Sequence, residues 1–176
     1  MEIKRDRRGE RSTILGREGS EDQFSRGPID FQVDSKDAEK MSRELLRIID
    51  ANYNRAKEAI RVAEDISRFY FADRNLTTRF KKTRHDLTQA LLGFKVPYRR
   101  LVASRNSAED VGARSLIQDK KRPGWKDLMV SNLKRAEEAT RVLEEFAKMV
   151  EPKRTRSFQR IRFRLYELEK QSLQKF

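Results

Sequence analysis

Apolar residues return every three or four positions along most of this chain, the spacing that lines one face of an α-helix. Leu45, Leu46, Ile48 and Ile49 lead into Ala56, Ala59, Ile60, Ala63 and Ile66. That stripe predicts a helix capped by Ser35 or Asp37 and running to about Phe71, with room for a break near Asp50. The cluster Phe69, Tyr70 and Phe71 reads as core. A second stripe, Leu76, Phe80, Leu87 and Leu91, predicts a helix from Asn75 or Thr77 to about Leu92, ended by Gly93 and Pro97. A short helical piece around Arg99 to Val102 follows. Trp125 and Asp127 open a helix that runs to about Val150, Pro152 breaks it, and Phe158, Ile161, Leu165, Leu168 and Ser172 give the last helix its inward face. Ala103 to Gly124 lacks a period and reads as a long polar connection, a feature that in compact helical domains is often functional.

Two of these helices carry the same sequence. Ala51 to Asp65, ANYNRAKEAIRVAED, recurs eighty positions later as Ser131 to Glu145, SNLKRAEEATRVLEE, with eight of fifteen positions identical. Chance would give about one. Five of the eight are polar or charged, which a helix with only a stripe to bury would not keep. Asn52 and Asn132 project near the middle of the apolar faces, and Arg55 and Arg135 sit at their edge. Burying such groups costs a few kcal/mol unless a network or a ligand meets them. Glu58, Arg61 and Glu64 turn toward solvent, where ion pairs three and four apart account for them. The likeness extends to RHDL at Arg84 to Leu87 and RFRL at Arg162 to Leu165. The fold expected is therefore all-α, a helical bundle built from a duplicated helical hairpin with pseudo-twofold symmetry, repeat 1 at about 45–92 and repeat 2 at about 125–172.

Residues 1–34 hold four of the seven glycines, mixed charge and no sustained period, and predict a disordered or loosely attached tail ahead of a single all-helical domain at 35–176. At 176 residues the chain can bury a core without disulfides or metals. The absence of cysteine removes thiol catalysis and Cys-ligated zinc and suits a reducing, cytoplasmic setting. No apolar run is long enough for a membrane span. The net charge of +13 falls entirely on residues 37–176, and from Lys153 onward eight basic residues face two acidic ones. Such a surface favours an anionic partner, a nucleotide, a phosphorylated metabolite or nucleic acid.

Outside the tail the only glycines are Gly93, Gly112 and Gly124, so there is no P-loop, dinucleotide fingerprint or kinase glycine loop. Phosphate would have to be held by arginine, lysine and helix N-termini, and Mg²⁺ by carboxylates drawn from Asp50, Glu58, Glu64, Asp110, Asp127, Glu138 and Glu144. A basic nucleic-acid-binding module and a non-catalytic adaptor bundle, with its polar pairs as internal ion networks, are the competing readings.

The run Ile49 to Ala56 with Glu58, Arg61-Val62 and Glu64-Asp65, then Arg84-His85, then Arg105 with Asp110-Val111-Gly112, then Asn132, Arg135-Ala136, Glu138-Ala139 and Arg141 to Glu145, resembles a known domain. It is similar to the alternative hydroxymethylpyrimidine phosphate kinase family, the helical domain found fused in front of thiamine-phosphate synthase in some bacteria and standing alone elsewhere. The resemblance covers about residues 42–150. It implies thiamine biosynthesis by phosphoryl transfer from ATP, with Mg²⁺, to 4-amino-5-hydroxymethyl-2-methylpyrimidine phosphate. For that reaction the chain offers His85, Asp110, Glu58 and Glu138 as catalytic groups, and Asn52, Arg55, Arg61, Arg84, Arg105, Asn132, Arg135 and Arg141 as substrate and phosphate ligands. Asp110, Glu64 and Glu144 would be the metal ligands. Because the sequence ends at Phe176, the barrel that joins pyrimidine to thiazole is expected to be absent, leaving thiamine-phosphate synthase as a partner. A homodimer is a further option.

Overall fold

The structure is a computed structural model and describes residues 41–112 and 122–176; the expected tail, and the Ser35 and Asp37 caps, lie outside them. The first helix, α1 (Arg43–Asp65), is capped by Ser42, whose hydroxyl accepts from the Leu45 N–H at 3.3 Å. Ser42 thus replaces the caps expected upstream, and the helix runs unbroken through Asp50. Its apolar stripe buries Leu46, Ile49, Tyr53, Ala56, Ala59, Ile60 and Ala63. A π-helical turn at Ile66–Tyr70 ends it, with the Phe71 N–H reaching Ile66 O at 3.1 Å. The wider turn rotates the aromatic side chains off the buried stripe. Phe69 and Tyr70 are exposed and Phe71 is half-buried, which corrects the reading of that cluster as core.

The chain reverses at Ala72, with φ of 51°, and Asp73 caps α2 (Arg74–Leu92) by accepting from Leu76 N–H at 2.9 Å. The helix therefore starts one residue before Asn75. Leu76, Phe80, Leu87 and Leu91 all face the core. A short helix, α3 (Tyr98–Ala103), is followed by α4 (Trp125–Val150), a 3₁₀ turn at Pro152–Arg154 and α5 (Thr155–Leu173). All five positions expected to face inward on α5 are buried. The Arg154 side chain from the 3₁₀ turn lies over the buried Gly93 at the end of α2, where an added Cβ would push the flexible guanidinium aside.

No strand occurs among the described residues. The helices pack α1 on α4, α1 on α2, α4 on α5 and α2 on α5, an all-α bundle with one core. Ala56, Ala59 and Ala63 of α1, with Ala136, Ala139 and Ala147 of α4, keep the contacting faces small, so the two long helices can approach closely. Phe80 and Phe158 are the largest fully buried side chains, and each contributes about 1.5–3 kcal/mol by burial.

Candidate functional site

Arg47, Asp50 and Asn54 lie three and four apart on α1 and so share one face. Asp50 is buried, and its carboxylate receives two hydrogen bonds from Arg105, Nε to Oδ2 at 2.6 Å and Nη2 to Oδ1 at 3.0 Å. Asn54 Nδ2 donates to the same Oδ1 at 3.1 Å and to the Asp50 carbonyl at 2.9 Å. The Asp50 bond is the main cause, with burial opposing it, of the Arg105 guanidinium being held well above its usual range. Arg47 Nη2 then donates to the Asn106 carbonyl at 3.0 Å and lies 3.8 Å from Asp110 Oδ2. Asp110 Oδ1 turns its own loop by accepting from Gly112 N–H at 3.0 Å. Beside this cluster is an open cavity of about 210 Å³ lined by Arg43, Glu44, Arg47, Ser104 and Asn106. The segment after α3 is thus fastened to the repeat helix through charged groups.

A second arrangement occurs twice. Arg84 Nε on α2 donates to Glu64 Oε2 at 2.9 Å and its Nη2 reaches Oε1 at 3.4 Å, while Arg61 Nη1 meets Oε1 at 3.4 Å. Arg162 Nε on α5 donates to Glu144 Oε2 at 2.9 Å and its Nη2 reaches Oε1 at 3.4 Å, while Arg141 Nη1 meets Oε1 at 2.9 Å. Both glutamates are buried, so the expectation that Glu64 faces solvent is corrected: Arg84 comes across from the neighbouring helix and supplies the charge that permits burial. Arg61 and Arg141 face outward as expected, pairing with Asp65 and Glu145 four residues on. The Arg162 guanidinium is held above its usual range first by Glu144 and then by Tyr166.

Asn52 and Asn132 also behave alike. Each donates its amide to the carbonyl four residues back, Ile48 at 2.9 Å and Leu128 at 2.8 Å. Asn52 is buried and Asn132 half-buried. Arg55 and Arg135 are exposed and make no hydrogen bond or ion pair among the described residues. Glu58 and Glu138 are exposed one turn further on, and His85 is exposed on α2 next to Arg84.

The family model that describes the ThiD2 family matches residues 47–171. This chain belongs to the ThiD2 family. Curated relatives include thiamine-phosphate synthases of Synechocystis sp., 36% identical over 71% of this chain and 35% of theirs, of Rhodopirellula baltica, 34% over 71% and 33%, and of Nostoc punctiforme, 32% over 74% and 36%. The chain spans about a third of the length of these relatives. No solved structure matches it.

The ThiD2 match takes in the Asp50–Arg105 cluster and both glutamate clamps. Sequence reading missed Arg47, Asn54 and Asn106 as members of the first and Arg162 as a member of the second. The signals were there: Arg47, Asp50 and Asn54 at helical spacing, and Arg162 at the place of Arg84. The cluster itself occurs once, because Val130 and Lys134 stand eighty positions after Asp50 and Asn54. In that part of α4 Glu137 is buried instead, with Lys134 Nζ 3.1 Å from its Oε2 and 2.7 Å from Glu169 Oε2 on α5. Its Oε1 is buried without a hydrogen-bond partner. Burial, opposed by Lys134 and reinforced by Glu169, pushes the Glu137 carboxyl above the ordinary value of 4.5.

As metal ligands the three expected carboxylates differ. Glu64 and Glu144 each have both oxygens taken by arginines, whereas Asp110 is exposed and among the described residues its Oδ2 meets only Arg47, at 3.8 Å. No group of three or more His, Cys, Asp or Glu side chains that could hold a metal ion exists among the described residues. Mg²⁺ needs no such cage where phosphate oxygens complete its shell, so the Asp110 carboxylate fits a nucleotide-borne ion. Among the described residues no helix is long and apolar enough to cross a membrane.

Proposed function

We propose that this chain works in thiamine biosynthesis, transferring the γ-phosphoryl group of ATP to 4-amino-5-hydroxymethyl-2-methylpyrimidine phosphate. A phosphate oxygen of the pyrimidine monophosphate attacks the γ-phosphorus, the new P–O–P bond forms as the β–γ bridge breaks, and ADP leaves. The product is the pyrimidine diphosphate, which a thiamine-phosphate synthase, the activity named for the relatives, would consume. The observation that carries this reading is the Asp50–Arg105 clamp, which sets Arg105 and Asp110 beside an open cavity on the repeat helix.

Phosphoryl transfer asks a protein mainly for positioning and charge neutralisation. Arg105, its fork oriented by Asp50, and the unpaired Arg55 and Arg135 hold phosphates in this scheme. The Oδ1 atoms of Asn52 and Asn132, whose amides are spent on their own helices, accept from the pyrimidine amino group. Glu58 and Glu138, exposed one turn beyond Arg55 and Arg135, would serve as catalytic carboxylates in this scheme. A phosphate monoester with second pKa near 6 is already a nucleophile at pH 7, so His85 acts as a phosphate ligand, with no proton to remove. Mg²⁺, held by Asp110 and the nucleotide phosphates, would neutralise charge on the transferring group. Arg61, Arg84 and Arg141 brace each hairpin in this scheme, through Glu64, Asp65, Glu144 and Glu145. The matched clamps are what a pseudo-twofold relation between the hairpins would produce.

The test is a mass-spectrometric or ³¹P assay of the purified chain with Mg-ATP and the pyrimidine phosphate, the unphosphorylated alcohol running in parallel. Appearance of the diphosphate supports the reading. Absence both of turnover and of thermal stabilisation by the two ligands together overturns it.

A further inference from the structure

The end of the bundle where the π-helical turn meets the start of α4 carries a ladder of exposed rings. Tyr70 stacks on Trp125 with centroids 4.9 Å apart and planes 21° apart, and on Phe176 at 6.2 Å and 27°. Phe71 stands edge-on to Phe176 at 68° and closes that end. Trp125 is 52% exposed and Tyr70 50%, although each already has a ring against it. With Tyr70 stacked on one side, about half of the Trp125 side chain still stands exposed. Exposed aromatic area of this kind is uncommon unless something covers it.

Charge narrows what that can be. Arg68, Arg74, Arg122, Lys126 and Lys175 are carried by the same turns, against Asp73 and Asp127. Asp73 is moreover neutralised by Lys175 at 2.8 Å. A second copy of the chain meeting this end across a twofold axis would set like charges against each other. An anion with a flat ring suits it, since a base stacks on an indole and its phosphates meet the cations. Phe71, edge-on to Phe176, ends the ladder on that side, so the platform suits a single base rather than a run of stacked bases.

We propose that the exposed Trp125 ring, backed by Tyr70, is a binding platform for the base of a free nucleotide whose phosphates are met by Arg68, Arg74 and Lys126. The inference stands on the rings and charges at this end of the bundle and does not rest on the kinase reading.

Trp125 is the only tryptophan, so its fluorescence reports on the platform directly. Titration with ATP and AMP is expected to quench it saturably, while ribose 5-phosphate and inorganic tripolyphosphate leave it unchanged. Tyr70→Ala is expected to weaken the nucleotide effect about tenfold or more, and Tyr70→Phe to preserve it, since the ring and not the hydroxyl backs the indole. Equilibrium dialysis of Trp125→Ala with labelled AMP, which is no substrate of the transfer, should show the same loss without the reporter. Circular dichroism checks that the variants fold, as two half-exposed side chains should permit. Absence of quenching by any nucleotide, or equal quenching by tripolyphosphate, overturns the proposal. A single-stranded oligonucleotide quenching at far lower concentration than AMP would overturn it in favour of nucleic acid, and a blue shift with anionic vesicles alone in favour of a lipid surface. Phosphoryl transfer, read separately by ³¹P, distinguishes failure of the platform from failure of the kinase.

Discussion

Arg105 grips Asp50 across fifty-five residues of chain, with Nε and Nη2 each on a different carboxylate oxygen. A bidentate arginine–carboxylate pair fixes distance and plane together. It therefore determines where the segment after α3 lies on α1, and with it where Asp110 stands.

Arg105→Ala is expected to abolish most phosphoryl transfer, by a hundredfold or more on the order of an oriented charge lost from a phosphate site. It also leaves the Asp50 side chain, 6% exposed, without its main partner. The stability cost is about 1–2 kcal/mol, at the low end for a buried carboxylate because Arg105 is itself 41% exposed and water can replace part of the bond. Urea denaturation followed by circular dichroism measures the second effect and the ³¹P assay the first. Destabilisation with full activity would reduce the pair to a structural brace.

Arg55→Ala and Arg135→Ala should separate chemistry from folding. Both side chains are exposed and unpaired, so neither change should move stability by more than about 0.5 kcal/mol. Each is nevertheless expected to lower kcat/KM at least roughly tenfold, through a lost phosphate contact. Thermal denaturation and steady-state kinetics on the same preparations decide it, and unchanged kinetics in either variant would remove that arginine from the site.

Arg84→Ala and Arg162→Ala are expected to cost similar stability, about 2–3 kcal/mol each, because each removes the cross-helix partner of a buried glutamate and leaves it only the half-exposed Arg61 or Arg141. Restoring neutrality with Glu64→Gln or Glu144→Gln in the corresponding background should recover part of the loss. Clearly unequal costs would mean that the two clamps share distances without sharing a role.

The pH dependence of stability should carry the signature of Glu137. Its carboxyl is raised by burial, so the neutral form is the one the fold prefers. That contribution is fully present below the unfolded value of 4.5 and is lost as pH rises through the higher folded value. Lys134 and Glu169 face it and moderate the loss with opposite sign. Glu137→Gln should flatten the stability profile above the ordinary carboxylate range, measured as urea midpoints between pH 4 and 8. An unchanged slope would show that Lys134 neutralises Glu137 completely.

Much of the bundle was legible because helical period is a local property. The faces of α2 and α5, the start of α4 at Trp125 and its end before Pro152 all follow from residues within a turn or two of one another. The repeat of Asn52, Arg55, Arg61 and Glu64 as Asn132, Arg135, Arg141 and Glu144 was likewise written in the chain. Where reading went astray, the cause lay elsewhere in space. Glu64 sits on the polar side of its own helix, and only the arrival of Arg84 from α2 makes its burial possible. Phe69 and Tyr70 satisfy every local test for core, yet the π-helical turn swings them outward by changing the angle between successive side chains. The Asp50–Arg105 pair joins groups that no period connects. Sequence determined the helices and the chemistry they carry, because those depend on spacing along one axis. Tertiary structure decided which charges meet and which rings stay exposed, because those depend on how separate axes pack.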